Sequence, residues 1–237
     1  SPPWCTSSRI TSVGFSSTVL MRRWDYREFL KLHDVLTSDI EHAFDLYSLE
    51  MKSMELLFEL FCFFVVKKIL EKTLNCSAVR NEILEDDGRD GRSLSVSSFS
   101  LHYGAGGSVL RLFYQKTYIS YSGRQFRPDI SIETPEHIYL FDAKYRGEAA
   151  ASEIYQTLHC YRDAIVHNGK KVRGVFGLVP ESWGNADAVF DSEGNSYDSA
   201  DIGNLYGAGA HAVGTASVAV LGNNPFLENL ISRILNV

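Results

Sequence analysis

The stretch Arg127 to Arg146, RPDISIETPEHIYLFDAKYR, decides how this chain folds. Two apolar runs flank Thr134-Pro135-Glu136-His137, and a proline pre-sets the backbone for a turn at that point. A two-residue hairpin closed there fixes the register of the flanking strands. Thr134 pairs with His137, Ile132 with Tyr139, Ile130 with Phe141, and Asp129 with Asp142. Two carboxylates then face each other across adjacent strands, where like charges destabilise a sheet. A cation between them reverses that sign. Lys144 lies two residues beyond Asp142, so the strand period places it on the same face.

Two acids and a lysine at one point form a site where a divalent ion can promote phosphodiester hydrolysis. The plainer alternative is a pair of solvated acids at a strand end, with Lys144 as a surface partner worth little. The arrangement resembles the PD-(D/E)XK nuclease superfamily. In wording, Arg127-Pro128-Asp129 and Asp142-Ala143-Lys144-Tyr145 are most similar to the McrC-type nuclease subunits of modification-dependent restriction systems. The resemblance implies a restriction-endonuclease-like core, α-β-β-β-α-β, built on a mixed α/β sheet. It implies a DNA endonuclease in which Asp129, Asp142 and the carbonyl of Ala143 hold Mg²⁺, with Mn²⁺ able to substitute. Lys144 would align the attacking water. A Glu on the first core helix often assists in this superfamily, and Glu59 occupies that place. A Gln on the helix after the lysine often lies near the scissile phosphate, which points to Gln156. Tyr161 follows five residues later, about 140° around a helix, so core packing is the expectation for it. A repair, resolvase or transposition nuclease, or an inactive interaction module on the same fold, is the alternative.

The rest of the chain fits this order. Residues 1–20 are Ser/Thr-rich and read as a flexible arm; residues 21–93 read as a helical segment; residues 94–237 hold the core sheet. Trp24 to Leu36 has apolar residues at helical spacing. Asp45 to Leu74 predicts one long helix without Pro or Gly, apolar nearly all round and so buried. Glu59 is conspicuous in its centre, although Glu55 and Lys52 share its stripe. Asp86 to Arg92 is a polar loop. Leu94–Tyr103, Ser108–Tyr118, Phe126–Glu133 and His137–Tyr145 predict four strands. Ala149–His167 predicts a helix, and Val172–Val179 a strand buried on both faces. Pro180–Gly209 reads as a loop, Ala216–Leu221 as a last strand, and Asn224–Leu235 as a helix opened by Pro225.

Composition narrows the function. The 237 residues carry a net charge of −6, which does not describe a strong autonomous nucleic-acid binder. Charge is uneven: residues 111–173 hold ten Lys or Arg and seven Asp or Glu, a local +3. Cys5, Cys62, Cys76 and Cys160 lack zinc-site spacing, so reduced thiols in a cytoplasmic protein are expected. The apolar run Leu56–Val66 is too short to span a bilayer. The glycine clusters at 104–107 and 207–209 match no nucleotide-binding fingerprint. The chain begins Ser1-Pro2-Pro3, which leads us to expect a fragment with an upstream DNA-recognition domain. The resemblance and the acidic charge together imply DNA as substrate and a nucleotide-hydrolysing motor subunit as partner. A homodimer is compatible with both.

Overall fold

The computed structural model describes residues 54–78, 80–81, 84–86, 92–94, 99–104, 109–145, 151–181, 187–205, 211–219 and 223–235. The expected arm, the Trp24–Leu36 helix and the 45–53 start of the long helix lie outside them.

Helix α1 (Met54–Leu74) bears out the prediction that an all-round apolar helix is buried: Leu57, Phe58, Leu60, Phe61, Cys62, Phe63, Val66, Ile69 and Leu70 are all inside. Each such side chain contributes about 1.5–3 kcal/mol when removed from water. Strands follow in the order β1 (Arg80–Asn81), β2 (Leu84–Asp86), β3 (Arg92–Leu94), β4 (Phe99–Tyr103), β5 (Leu110–Tyr114), β6 (Tyr118–Ile119), β7 (Gln125–Phe126), β8 (Ile130–Glu133) and β9 (Ile138–Ala143). Helix α2 (Ala151–Ala164) leads to β10 (Val166–His167) and the long β11 (Lys170–Pro180). Then come β12 (Ala188–Phe190), β13 (Ser196–Tyr197), a 3₁₀ turn (Ile202–Asn204), β14 (Ala212–Val218) and α3 (Pro225–Leu235).

The main sheet runs β1-β4-β5-β8-β9-β11-β14-β12-β13, with β10 paired to β11. The β4-β5-β8-β9 meander is antiparallel, whereas β9, β11 and β14 are mutually parallel. The order α1-β5-β8-β9-α2-β11 is the mixed α/β, restriction-endonuclease-like core expected from the sequence.

The pleat sorts the two faces. Ile130, Ile132, Tyr139 and Phe141 join the core of α1 and α3, while Ile138 and Leu140 pack with Ile154 and Leu158 of α2. Strand β11 is buried along almost its whole length, as a strand covered on both faces must be. Helix α2 sits close over Gly177: a Cβ there would lie 3.0 Å from Ile154 Cγ2 and 3.3 Å from Thr215 Cγ2.

Several boundaries differ from the sequence reading. Of the predicted Leu94–Tyr103 strand, Leu94 closes β3 and Phe99–Tyr103 form β4 in a different sheet, while 95–98 lie outside the described residues. The predicted Ser108–Tyr118 strand stops at Tyr114, because Gln115 takes a left-handed backbone with φ 50°. Phe126 and Ile130 belong to separate strands, and short strands stand at Arg80–Asn81, Leu84–Asp86 and Arg92–Leu94 within the segment expected to be helical; 87–91 of the expected loop lie outside the described residues. The Pro180–Gly209 segment contains β12 and β13 rather than loop alone. The Asp191 carboxylate builds the turn between them, accepting the N–H groups of Glu193 and Asn195 and the Tyr197 hydroxyl. Strand β14 begins at Ala212, four residues before the expected Ala216. Its small residues hide the strand pattern and serve packing instead.

Gly214 shows that role. A Cβ there would stand 2.4 Å from the Ala188 carbonyl oxygen and 2.6 Å from Val189 Cα, so β12 can pair only over a glycine. Gly214→Ala should therefore destabilise the fold by about 1–3 kcal/mol through overpacking. Urea unfolding should show a lower midpoint with an unchanged slope. An unshifted midpoint would mean that β12 yields at no cost.

Candidate active site

The β8–β9 register is the one read from the sequence. Ile130 pairs with Phe141, Ile132 with Tyr139, and the turn closes with the Thr134 N–H donating to the His137 carbonyl at 2.9 Å. The ladder stops one pair short of Asp129 and Asp142, and side chains take over. The Ala143 N–H donates to Asp129 Oδ2 at 2.8 Å, and the Asp129 carbonyl accepts the Gln115 N–H at 2.7 Å. Pro128, with no N–H of its own, lets the chain leave the ladder here.

Asp142 is only 2% exposed, so the picture of two solvated strand-end acids does not hold. Lys144 Nζ lies 2.5 Å from Asp142 Oδ2. That approach is an ion pair by distance only, since the same buried oxygen accepts no well-directed hydrogen bond among the described residues. A buried carboxylate oxygen with no proper donor is costly unless something else meets it.

The neighbouring groups register the same crowding. Asp129 has its pKa pushed well above the usual carboxylate range, first by burial, then by the charges of Asp142 and Glu59; the Ala143 N–H and Lys144 oppose this only in part. Glu59 is half-buried on α1 and also raised, chiefly by burial and further by Asp142, while the Gln115 hydrogen bond and Lys144 pull it back. Gln115 Nε2 donates to Glu59 Oε2 at 2.9 Å, and the Tyr114 hydroxyl reaches the same oxygen at 3.4 Å. One residue thus ties α1 to the strand entry: Gln115 holds Glu59 with its amide and Asp129 with its backbone. The sequence reading missed it because Gln115 appeared to lie inside a strand.

Helix α2 brings Tyr161 and leaves Gln156 outside. The Tyr161 hydroxyl is held in its neutral form first by burial, then by the charges of Asp142 and Asp129. Tyr161 therefore both packs, edge-on to Phe126 with centroids 5.8 Å apart, and lies within the field of the acids. Gln156, His159 and Asp163 share the exposed face of α2, and no hydrogen bond joins Gln156 to the acids among the described residues. Arg127 is exposed, and its charge acts on Tyr114 and Tyr161.

This donor set fits a hard divalent cation. Such ions take oxygen ligands, and Mg²⁺ commonly uses one or two carboxylates while keeping several waters. Asp129 and Asp142 supply two carboxylates whose mutual repulsion a cation would relieve. The Asp142 oxygen without a proper donor is a ready ligand atom. Among the described residues, no three His, Cys, Asp or Glu side chains form a closed cage. Glu59 shares the field of the two aspartates without completing one.

The crowding predicts a pH dependence. An acid whose folded-state pKa is raised binds a proton in the folded protein that the unfolded chain has already released. Its contribution is full below the ordinary carboxylate range and is lost as pH rises through the raised value. The metal-free protein should thus lose stability from about pH 4 upward as Asp129 and Glu59 ionise. Asp129→Asn, which can still accept the Ala143 N–H, should flatten that decline and melt above wild type at alkaline pH. Thermal melts in chelator across the pH range check this; parallel curves for the two proteins would show that the acids do not repel.

With this geometry established, comparison against known families matches residues 56–180, running from α1 through β11, to a model described as the PD-(D/E)XK nuclease superfamily. That is 125 of 237 residues, just over half the chain. No curated protein and no solved structure matches it significantly. The matched span contains α1 from Leu56 onward, the strands β4 to β9, the two aspartates, Lys144, α2 and β11, and the chain belongs to the PD-(D/E)XK nuclease superfamily.

Proposed function

We propose that this chain is a metal-dependent DNA endonuclease module of a restriction or defence system, akin to the McrC-type subunits. The observation that carries the proposal is the convergence of Asp129, buried Asp142 and Lys144 at one end of the β8–β9 pair. Asp129, Asp142 and the Ala143 carbonyl are the groups that would hold Mg²⁺ or Mn²⁺, with Glu59 assisting from α1. A bound divalent ion supplies charge neutralisation at phosphate and activation of water.

The chain's own residues prepare that chemistry. The Ala143 N–H aims the Asp129 carboxylate, and Gln115 fixes both Glu59 and the backbone of Asp129. Asp142 holds the Lys144 ammonium at the site, where its positive charge can orient water and meet charge building on the phosphate. Gln156 is free at the surface of α2 to meet DNA rather than the acids.

A partner follows from the charge. A net −6 gives the chain little electrostatic affinity of its own, so a nucleotide-hydrolysing subunit or a DNA-recognition domain would deliver the substrate. No helix among the described residues is long and apolar enough to cross a membrane. The described cysteines, Cys62, Cys76 and Cys160, are free thiols, in keeping with a cytoplasmic enzyme.

Supercoiled plasmid incubated with Mg²⁺ or Mn²⁺ tests the reading. Wild type should nick it, chelator should stop nicking, and Lys144→Ala should lower the rate by about 10²-fold or more. Lys144→Ala should keep the metal-induced rise in Tm, whereas Asp142→Asn should lose it. Full nicking by Lys144→Ala would remove the lysine from the chemistry, and a full Tm rise in Asp142→Asn would place the ion elsewhere. Efficient double-strand cutting at physiological salt by a demonstrated monomer would remove the need for a partner.

A further inference from the structure

The small β6–β7 hairpin joins the meander to the site, and no step proposed above uses it. Its base is built in. Tyr118 is fully buried, and its hydroxyl donates to Glu133 Oε1 at 2.9 Å. Lys116 forms an ion pair with the same carboxylate oxygen and stands 4.1 Å from the Phe113 ring centroid. His167 meets Tyr118 edge-on with centroids 5.5 Å apart. On the other strand Phe126 packs on Tyr161, and Arg124 lies over Phe126 at 5.4 Å.

The tip is the opposite. Tyr121 is 84% exposed and Ile119 60%, the two most exposed large hydrophobic side chains among the described residues. They stand on an ordered turn. The Ser120 N–H donates to the Arg124 carbonyl at 2.8 Å, the Arg124 N–H to Ser120 Oγ at 3.0 Å, and the Gly123 N–H to the Ser120 carbonyl at 2.9 Å. Gly123 takes φ 80°, which a side chain would strain. An apolar tip held rigid on a buried polar base is preorganised for contact, and that lowers the entropic cost of binding.

Charge identifies the occupant. Residues 117–128, the hairpin and its exit, contain Arg124 and Arg127 and no Asp or Glu, in a chain of net −6. The hairpin then runs through Arg127-Pro128 directly into Asp129. Tyr121 and Asp129 are eight residues apart, so extended chain between them spans at most roughly 29 Å. At one base pair per roughly 3.4 Å, a ligand at the tip falls within about nine base pairs of a phosphate at the site.

We propose that the β6–β7 hairpin is a duplex-DNA contact that positions the backbone beside the cut: Arg124 meets a phosphate, and Tyr121 and Ile119 pack on sugars and base edges. The inference rests on the nuclease reading and deepens it. Tyr121 and Arg124 are positioning residues, distinct from the acids and lysine.

Anisotropy of a labelled duplex of about three helical turns, titrated with the full chain at low salt and in chelator, tests it alongside plasmid nicking. Tyr121→Ala should weaken binding about tenfold, as expected for loss of an aromatic contact to nucleic acid, and Tyr121→Phe should restore most of it. Arg124→Ala should weaken binding and reduce the salt slope by about one. Tm should not change in any of the three. Nicking at DNA concentrations below saturation should fall in step with binding for Tyr121→Ala and Arg124→Ala. If wild type binds and nicks while all three variants match it, the hairpin is not a contact and the nuclease reading stands. If wild type neither binds nor nicks duplex DNA, both fall. If Tyr121→Ala instead dissolves a dimer in sedimentation and leaves DNA binding intact, the tip belongs to a second copy of the chain and the inference is overturned.

Discussion

The antiparallel register of β8 and β9 is the constraint on which the site depends. It is pinned at one end by the Thr134–His137 turn and at the other by the Ala143 N–H on Asp129. A slip of one residue would turn Asp142 and Lys144 to the opposite face and put Phe141 in their place. The apolar alternation forbids that slip, because Tyr139 and Phe141 belong to the core of α1 and Leu140 to that of α2. Burial of aromatic rings on one face therefore holds two carboxylates together on the other.

That arrangement places unfavourable electrostatics where the fold is strongest. Asp129 and Asp142 repel, and Glu59 adds to the field. Marginal folds cannot carry many such contacts. Here they sit at the end of a sheet covered on both faces, with α1 nearly all apolar and β11 inside. The opposing contacts, Lys144 on Asp142 and Gln115 on Glu59, are partial. The site is thus poised for positive charge, which is the physical sense in which it suits a cation and a phosphate-bound substrate.

The far end of the same strands solves its charges differently. Glu133 is buried but meets Lys116 and the Tyr118 hydroxyl. Breaking such a buried pair by removing one partner typically costs about 3–5 kcal/mol. Glu133 ends β8 and Asp129 immediately precedes it, four residues away. One is matched with a cation and anchors a hairpin; the other faces two more acids. Partners, rather than residue type, distinguish the structural carboxylate from the functional one.

Much of this was legible in the sequence, because it follows from local rules. Proline at a turn, the two-residue strand period and an all-apolar helix suffice to place Asp129, Asp142 and Lys144 together and to bury α1. The order of the core elements follows from the same patterns. What the sequence did not reveal depends on contacts between distant residues. Gln115 leaves its strand because its backbone and amide are needed by Asp129 and Glu59, 14 and 56 residues away. Tyr161 reaches the field of the acids while Gln156 is exposed, because Ile154 and Leu158 set the rotation of α2 on the sheet, with Gly177 allowing close approach. Strands β12 and β13 form in a stretch of turn residues because Asp191 closes their turn and Gly214 admits their backbone. Local periodicity fixes which face a side chain takes; only the packing of whole elements decides which faces meet.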